Sequence, residues 1–185
     1  MSDPVTAWST LALAIASFVA VGVSFWAVRK QAQSSADLVL ETRKQADSFS
    51  LSVSVDICLK LTDRFDSPEL KNIRRNAAEA LLANENLIVV DDVFDFFETV
   101  GLYVRKKALD DEIAHAMFFH WVNLYWHAGK EYILRSQQRS ESIWHEFEKL
   151  HGTLLQIERE QDPDSRDINP SPEDIRKLLQ QETME

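Results

Sequence analysis

The chain reads as an all-α protein: one N-terminal membrane-spanning helix followed by a cytoplasmic helical bundle. Three observations predict this. Residues 5–28, VTAWSTLALAIASFVAVGVSFWAV, run for twenty-four positions without a charge, and Arg29 and Lys30 follow at once. A bilayer core of about 30 Å takes roughly 20 apolar residues of helix, so the run is long enough to span with some tilt. Only four glycines and five prolines occur in 185 residues, and Pro163, Pro170 and Pro172 crowd near the C-terminus. Scarce breakers favour long helices over a turn-rich β fold. Beyond the run, apolar residues recur at spacings of three and four, the period of a helix with one buried face.

The start Met1-Ser2-Asp3-Pro4 has an acid and no base, and the run exceeds the apolar stretch of a cleaved signal, so it reads as a permanent anchor. Arg29, Lys30, Arg43 and Lys44 flank one side while Asp3 alone flanks the other. Basic residues prefer the cytoplasmic face, which puts the N-terminus outside and the body in the cytoplasm at the inner membrane. Trp8 and Trp26 sit near opposite ends of the span, where indoles favour the interface. The lone Cys58 cannot form an internal disulfide. Within the span, Ala12, Ala16, Ala20 and Ser24 form a four-residue repeat of small side chains, a strip that lets helices approach closely in lipid. Thr10, Ser17, Ser24 and Gln31 repeat every seven and would place polar groups on one seam, as in a self-associating bundle or narrow pore. Lipid and further copies of the chain are therefore the expected partners.

Residues 29–65 read as a juxtamembrane helical stalk. Residues 51–61 alternate as a strand would, yet Leu51, Val55, Cys58, Thr62 and Phe65 also fit a helix face. No second strand follows for pairing, so helix is expected. A bundle spans 66–160. Asp66 or Ser67 caps its first helix, with Pro68 and Glu69 in the opening turn and Leu70, Ile73, Ala77 and Leu81 inward. After the break at Asn84-Glu85-Asn86 and a short apolar connector, Asp91 or Asp92 caps a helix burying Val93, Phe96, Phe97, Val100 and Val104. Asp110 or Asp111 caps a long helix to about Ser136. Its residues Ile113, Met117, Phe118, Trp121, Leu124, Tyr125, Ala128 and Ile133 spread apolar surface nearly all round, which predicts a central position. A helix over about 140–160 buries Ile143, Trp144, Phe147, Leu150, Leu154 and Ile157. Residues 161–170 are a linker. Ser171-Pro172-Glu173-Asp174 opens a tail helix, 171–185, whose small face of Ile175, Leu178 and Leu179 docks on the body or serves a protein partner.

Thirty acidic against twenty basic residues give a net charge of −10, which argues against general nucleic-acid binding. Arg74–Arg75 and Arg105–Lys106–Lys107 read as solvated faces. Glu112/His115 and Glu148/His151 are Glu-x-x-His pairs, and with Glu79 and Glu98 they have the composition of a di-iron carboxylate bundle. The order along the chain departs from that pattern, and Glu112 is explained by the helix dipole, so no metal or other cofactor is expected. His120 and His127, seven apart, read as buried histidines bonded to polar neighbours. Arg139 and His145 form Arg-x5-His, the loose pattern of a class of helical ribonucleases, in which Arg steadies the scissile phosphate and His moves a proton.

The segment Phe94–Leu155 resembles a widespread bacterial family of small proteins known only as a domain of unknown function. The likeness rests on Phe96-Phe97-Glu98-x-x-Gly101, on Tyr125-Trp126 upstream of Arg135, on Phe147-Glu148-x-Leu150, and on the N-terminal membrane helix. It implies an all-helical cytoplasmic domain without an established activity. In architecture the chain is also similar to the small membrane proteins that accompany one class of RNA-cleaving CRISPR effectors. That likeness implies an oligomeric pore in antiviral defence, with Arg139 and His145 at the degenerate Arg…His positions; Ser140 after the Arg departs from the pattern. Two functions are expected from these readings: a non-enzymatic membrane scaffold or pore accessory, or a membrane-tethered ribonuclease.

Overall fold

A computed structural model describes residues 41–46 and 48–184. The chain divides into two compact units, Met1–Phe49 and Ser50–Glu185. Of the first, residues 41–46 and 48–49 are described, and they are helical and exposed. The uncharged run 5–28 and the rest of the expected stalk up to residue 40 lie outside the described residues. Among the described residues no helix is long and apolar enough to cross a membrane.

The second unit is all-helical, with no strand among its described residues. Helix α1 covers residues 50–65. Then follow α2 (Pro68–Ala83), a 3-10 turn (Leu87–Val90), α3 (Asp91–Arg105), α4 (Asp111–Gln137), α5 (His145–Gln161), a second 3-10 turn (Arg166–Ile168) and α6 (Pro172–Glu182). The alternating stretch 51–61 is thus helix, as its lack of a pairing partner predicted.

Local chemistry sets most boundaries. Ser67 caps α2, its Oγ accepting the Leu70 amide at 3.2 Å, and Asn84 closes that helix in the left-handed conformation. Asp110 Oδ1 accepts the amides of Glu112 and Ile113 at the head of α4. Ser171 and Asp174 form a capping box on α6. Two starts differ from expectation. Helix α3 has no side-chain cap, because the 3-10 turn runs straight into it and Val90 holds the cap position. Asp91 instead accepts a 3.0 Å hydrogen bond from the Tyr132 hydroxyl. Helix α5 starts at His145 rather than near 140, because Trp144 takes a left-handed backbone (φ 50°) and is buried against α3. Its indole Nε1 donates to Asp95 at 2.9 Å.

Helix α4 is central, as its all-round apolar pattern predicted. It buries Ala114, Phe118, Phe119, Val122, Leu124, Tyr125, Trp126 and Ile133, although Met117 is exposed. Aromatic contacts link it to α1, α3 and α5: Phe118 lies 6.1 Å from Phe65 and 6.0 Å from Phe96, and Trp126 meets Phe147 edge-on at 5.7 Å. Phe65 lies 5.3 Å from Phe96, Phe97 stacks on Phe147 at 5.3 Å, and Phe94 meets Trp144 edge-on at 5.0 Å. All five residues expected inward on α3 are buried. Helix α1 is rotated from its expected face: Ser54, Cys58, Leu61 and Phe65 are buried, while Leu51 and Val55 are exposed. The tail helix α6 packs on α2 and α4 and buries Leu179 and Glu182.

Candidate functional site

The family-like motif on α3 explains itself through α5. Phe96 and Phe97 point into the core. Next along the helix, Glu98 Oε2 accepts the Phe147 amide at 2.7 Å, capping the first turn of α5 from a different helix. Gly101, three residues further, lies so close to α5 that a Cβ there would clash with the Glu146 carbonyl oxygen. Arg105 closes the row with a 2.7 Å ion pair to Glu146. Glu98, Gly101 and Arg105 therefore form one stripe of α3 that seats the start of α5.

A buried polar cluster fixes the tail. Arg74 of α2 and Glu182 of α6 are 3% and 4% exposed. Arg74 Nε lies 3.2 Å from Glu182 Oε2, and the same oxygen accepts the Tyr125 hydroxyl at 3.0 Å. The guanidinium stands 3.9 Å over the Phe65 ring and 5.0 Å from the Trp121 ring. Among the described residues its Nη1 finds no hydrogen-bond partner, so the aromatic faces supply much of its environment. Burial, reinforced by the Glu182 carboxylate, raises the Tyr125 phenol well above its ordinary range, while Arg74 opposes that rise.

A second cluster lies between α4 and α5. His151 Nε2 is 3.0 Å from Asn123 Oδ1, and Asn123 donates its amide to the Asp167 carbonyl oxygen in the loop before α6. Trp126 stacks on the His151 ring at 5.0 Å, and His127 meets it edge-on at 5.6 Å. Burial, then the charges of His127, Lys130 and Arg159, pushes the His151 imidazole down to about 4. Burial also lowers His127. His120 and His127 thus differ from expectation. His120 is exposed, 3.8 Å from Asp167 Oδ2, and the buried Nε2 of His127 has no hydrogen-bond partner among the described residues. The buried, bonded histidine is His151.

The Glu-x-x-His pairs do not converge. His115 pairs with Glu158 at 2.9 Å, Glu148 accepts from Gln137 at 3.1 Å, and Glu98 serves Phe147. Among the described residues no group of three or more His, Cys, Asp or Glu is placed to hold a metal ion. Arg139 and His145 flank the turn between α4 and α5, both exposed, and no hydrogen bond or ion pair joins them. Arg139 is near enough to Tyr132 for its charge to favour the phenolate, against burial and Asp91, which raise that phenol. Ala12, Ala16, Ala20 and Ser24, and the seam Thr10, Ser17, Ser24 and Gln31, lie outside the described residues.

Sequence reasoning put Arg74 on a solvated face, where the structure buries it among aromatic rings, and it passed over Asn123 and Glu182. The signal for two of them was positional. Arg74 falls four residues after Leu70 and three before Ala77, on the inward stripe of α2, and Glu182 falls three after Leu179.

Among the described residues, the six helices of the second unit around an aromatic core, with polar groups spent on seating helices, define a small all-helical domain. Residues 14–153 match the family described as a domain of unknown function, DUF4760, and the chain belongs to that family. No curated protein and no solved structure matches it.

Proposed function

We propose that the chain is a single-pass membrane protein of a bacterial inner membrane, with the N-terminus outside and the helical domain in the cytoplasm. It acts as a scaffold that self-associates. The observation that carries this reading is the uncharged run 5–28 closed by Arg29 and Lys30. The strip Ala12, Ala16, Ala20 and Ser24 supports association within the bilayer, and the seam Thr10, Ser17, Ser24 and Gln31 supports the narrower reading of a pore-forming defence accessory. The domain adds support of another kind. Three of its buried or part-buried polar contacts, Arg74–Glu182, Glu98–Phe147 and His151–Asn123, are each accounted for by helix seating. Sizing of the detergent-extracted full chain tests the reading: an oligomer is expected, and a strict monomer overturns it.

The ribonuclease reading keeps one supporting observation, the exposure of Arg139 and His145 on the same short turn. Cleavage of single-stranded RNA by the purified chain, lost in Arg139→Ala and in His145→Ala, is the result it requires.

A further inference from the structure

Helix α1 is amphipathic in an unusual way. Its core-facing stripe is Ser54, Cys58, Leu61 and Phe65, all buried. Beside that stripe run Leu51, Val55 and Leu59, four residues apart and therefore aligned along one side of the helix. They are 56%, 43% and 59% exposed, although α1 is packed against the rest of its unit through Phe65 and through Ser54 Oγ, which accepts the Asp110 amide at 2.7 Å. A row of large aliphatic side chains left in water on an otherwise docked helix marks a contact surface.

We propose that Leu51, Val55 and Leu59 form a parallel self-association seam, occupied by the same helix of a second copy. This rests on the membrane-anchored reading above. Charge selects that occupant. Residues 1–60 hold five basic and five acidic residues, so the net −10 belongs entirely to residues 61–185. Two copies repel one another through their bodies and approach most easily along this neutral segment. The charges beside the row, Asp56 and Lys60, are already paired with each other at 2.7 Å, and with Asp63 and Arg64 further along they leave α1 with no net charge. Anchoring selects the geometry. Two copies anchored through 5–28 would share one membrane and one orientation, which admits a parallel pairing. Size explains why the anchor is needed. Three half-exposed aliphatic side chains offer roughly 200–300 Å² per copy, against about 800 Å² per partner in a stable soluble interface. Confinement to one membrane raises the effective concentration enough for a small seam to close. Ser52, beside the row, leaves room for close approach of the two helices.

The test uses the full chain in its native membranes. Cys58 is the lone cysteine and is buried, so Cys58→Ala gives a clean background. Leu51→Cys, Val55→Cys and Leu59→Cys are introduced singly, with Lys60→Cys as the control on another side of α1. After mild oxidation, the three seam variants are expected to yield at least five times more cross-linked dimer than the control. Adding Val55→Glu to Leu59→Cys is expected to remove most of that dimer. Equal cross-linking at Lys60→Cys overturns the seam. So does loss of maleimide labelling without cross-linking, which would put lipid or another protein on the row. A carbonate wash of the same membranes separates the two claims. A chain retained in the pellet without seam cross-links overturns the seam alone. A chain released to the supernatant overturns the anchor, and with it the parallel seam that depends on it.

Discussion

Acidification should loosen the domain through His151. Its imidazole is buried beside Trp126, bonded to Asn123, and faces the charges of His127, Lys130 and Arg159, which together hold it at about 4. Unfolded, it returns to about 6.5. Between these values the unfolded chain binds more protons than the folded one, so stability falls as pH falls. The contribution is fully present above about 6.5 and is lost progressively toward about 4. Applying that linkage from pH 7.5 to 4.5 removes about 2–3 kcal/mol, some tens of fold in the folding equilibrium. The window lies mostly above the titration of ordinary carboxylates, which keeps the effect separable. Urea unfolding of the chain in detergent, followed by near-ultraviolet circular dichroism of the tryptophans, measures it. His151→Gln retains an amide for Asn123 and has nothing to protonate, so its midpoint should move much less over the same range. An equal loss in wild type and His151→Gln would refute the reasoning.

Glu182→Ala should destabilise by about 3 kcal/mol, because it leaves the Arg74 charge buried without its carboxylate; hydrogen exchange should show α6 opening first. The two outer glycines should behave oppositely. Gly101→Ala forces a Cβ against the Glu146 backbone and should cost about 1–3 kcal/mol by thermal unfolding. Gly152→Ala meets nothing within 4 Å inside α5 and should stabilise by about 0.5–1 kcal/mol. Arg139→Ala and His145→Ala, at exposed positions, should leave the unfolding midpoint within about 0.5 kcal/mol of wild type. Any change in RNA cleavage would then report on chemistry and not on folding.

The fold class was legible because it rests on local rules. Ser67 and Asp110 cap the helices they were expected to cap, and the inward stripe of α3 is buried position for position. Rules that depend on neighbours were less legible. Leu51 and Val55 fit a helical face as well as Ser54 and Leu61 do, and only the contact of Ser54 with Asp110 and the burial of Leu61 decide which face turns inward. Trp144 looked like an ordinary core position inside a helix. Its bond to Asp95, together with the Glu98 cap on Phe147, delays the helix by several residues. Arg74 and Glu182 sit on apolar stripes where charge is unexpected, and they are far apart in sequence. Their pairing, and the cradle of Phe65 and Trp121 around Arg74, exist only after α6 folds back.

Retention of the chain in membranes tests the central claim most directly. Cells expressing the full chain are lysed, and the membranes are washed with alkaline carbonate, which strips peripheral proteins and leaves spanning helices in place. The account predicts that the chain stays in the pellet, and that replacing Ala16 and Ala20 by Leu leaves it there while weakening its oligomer in detergent. Recovery of the wild-type chain in the supernatant would contradict it.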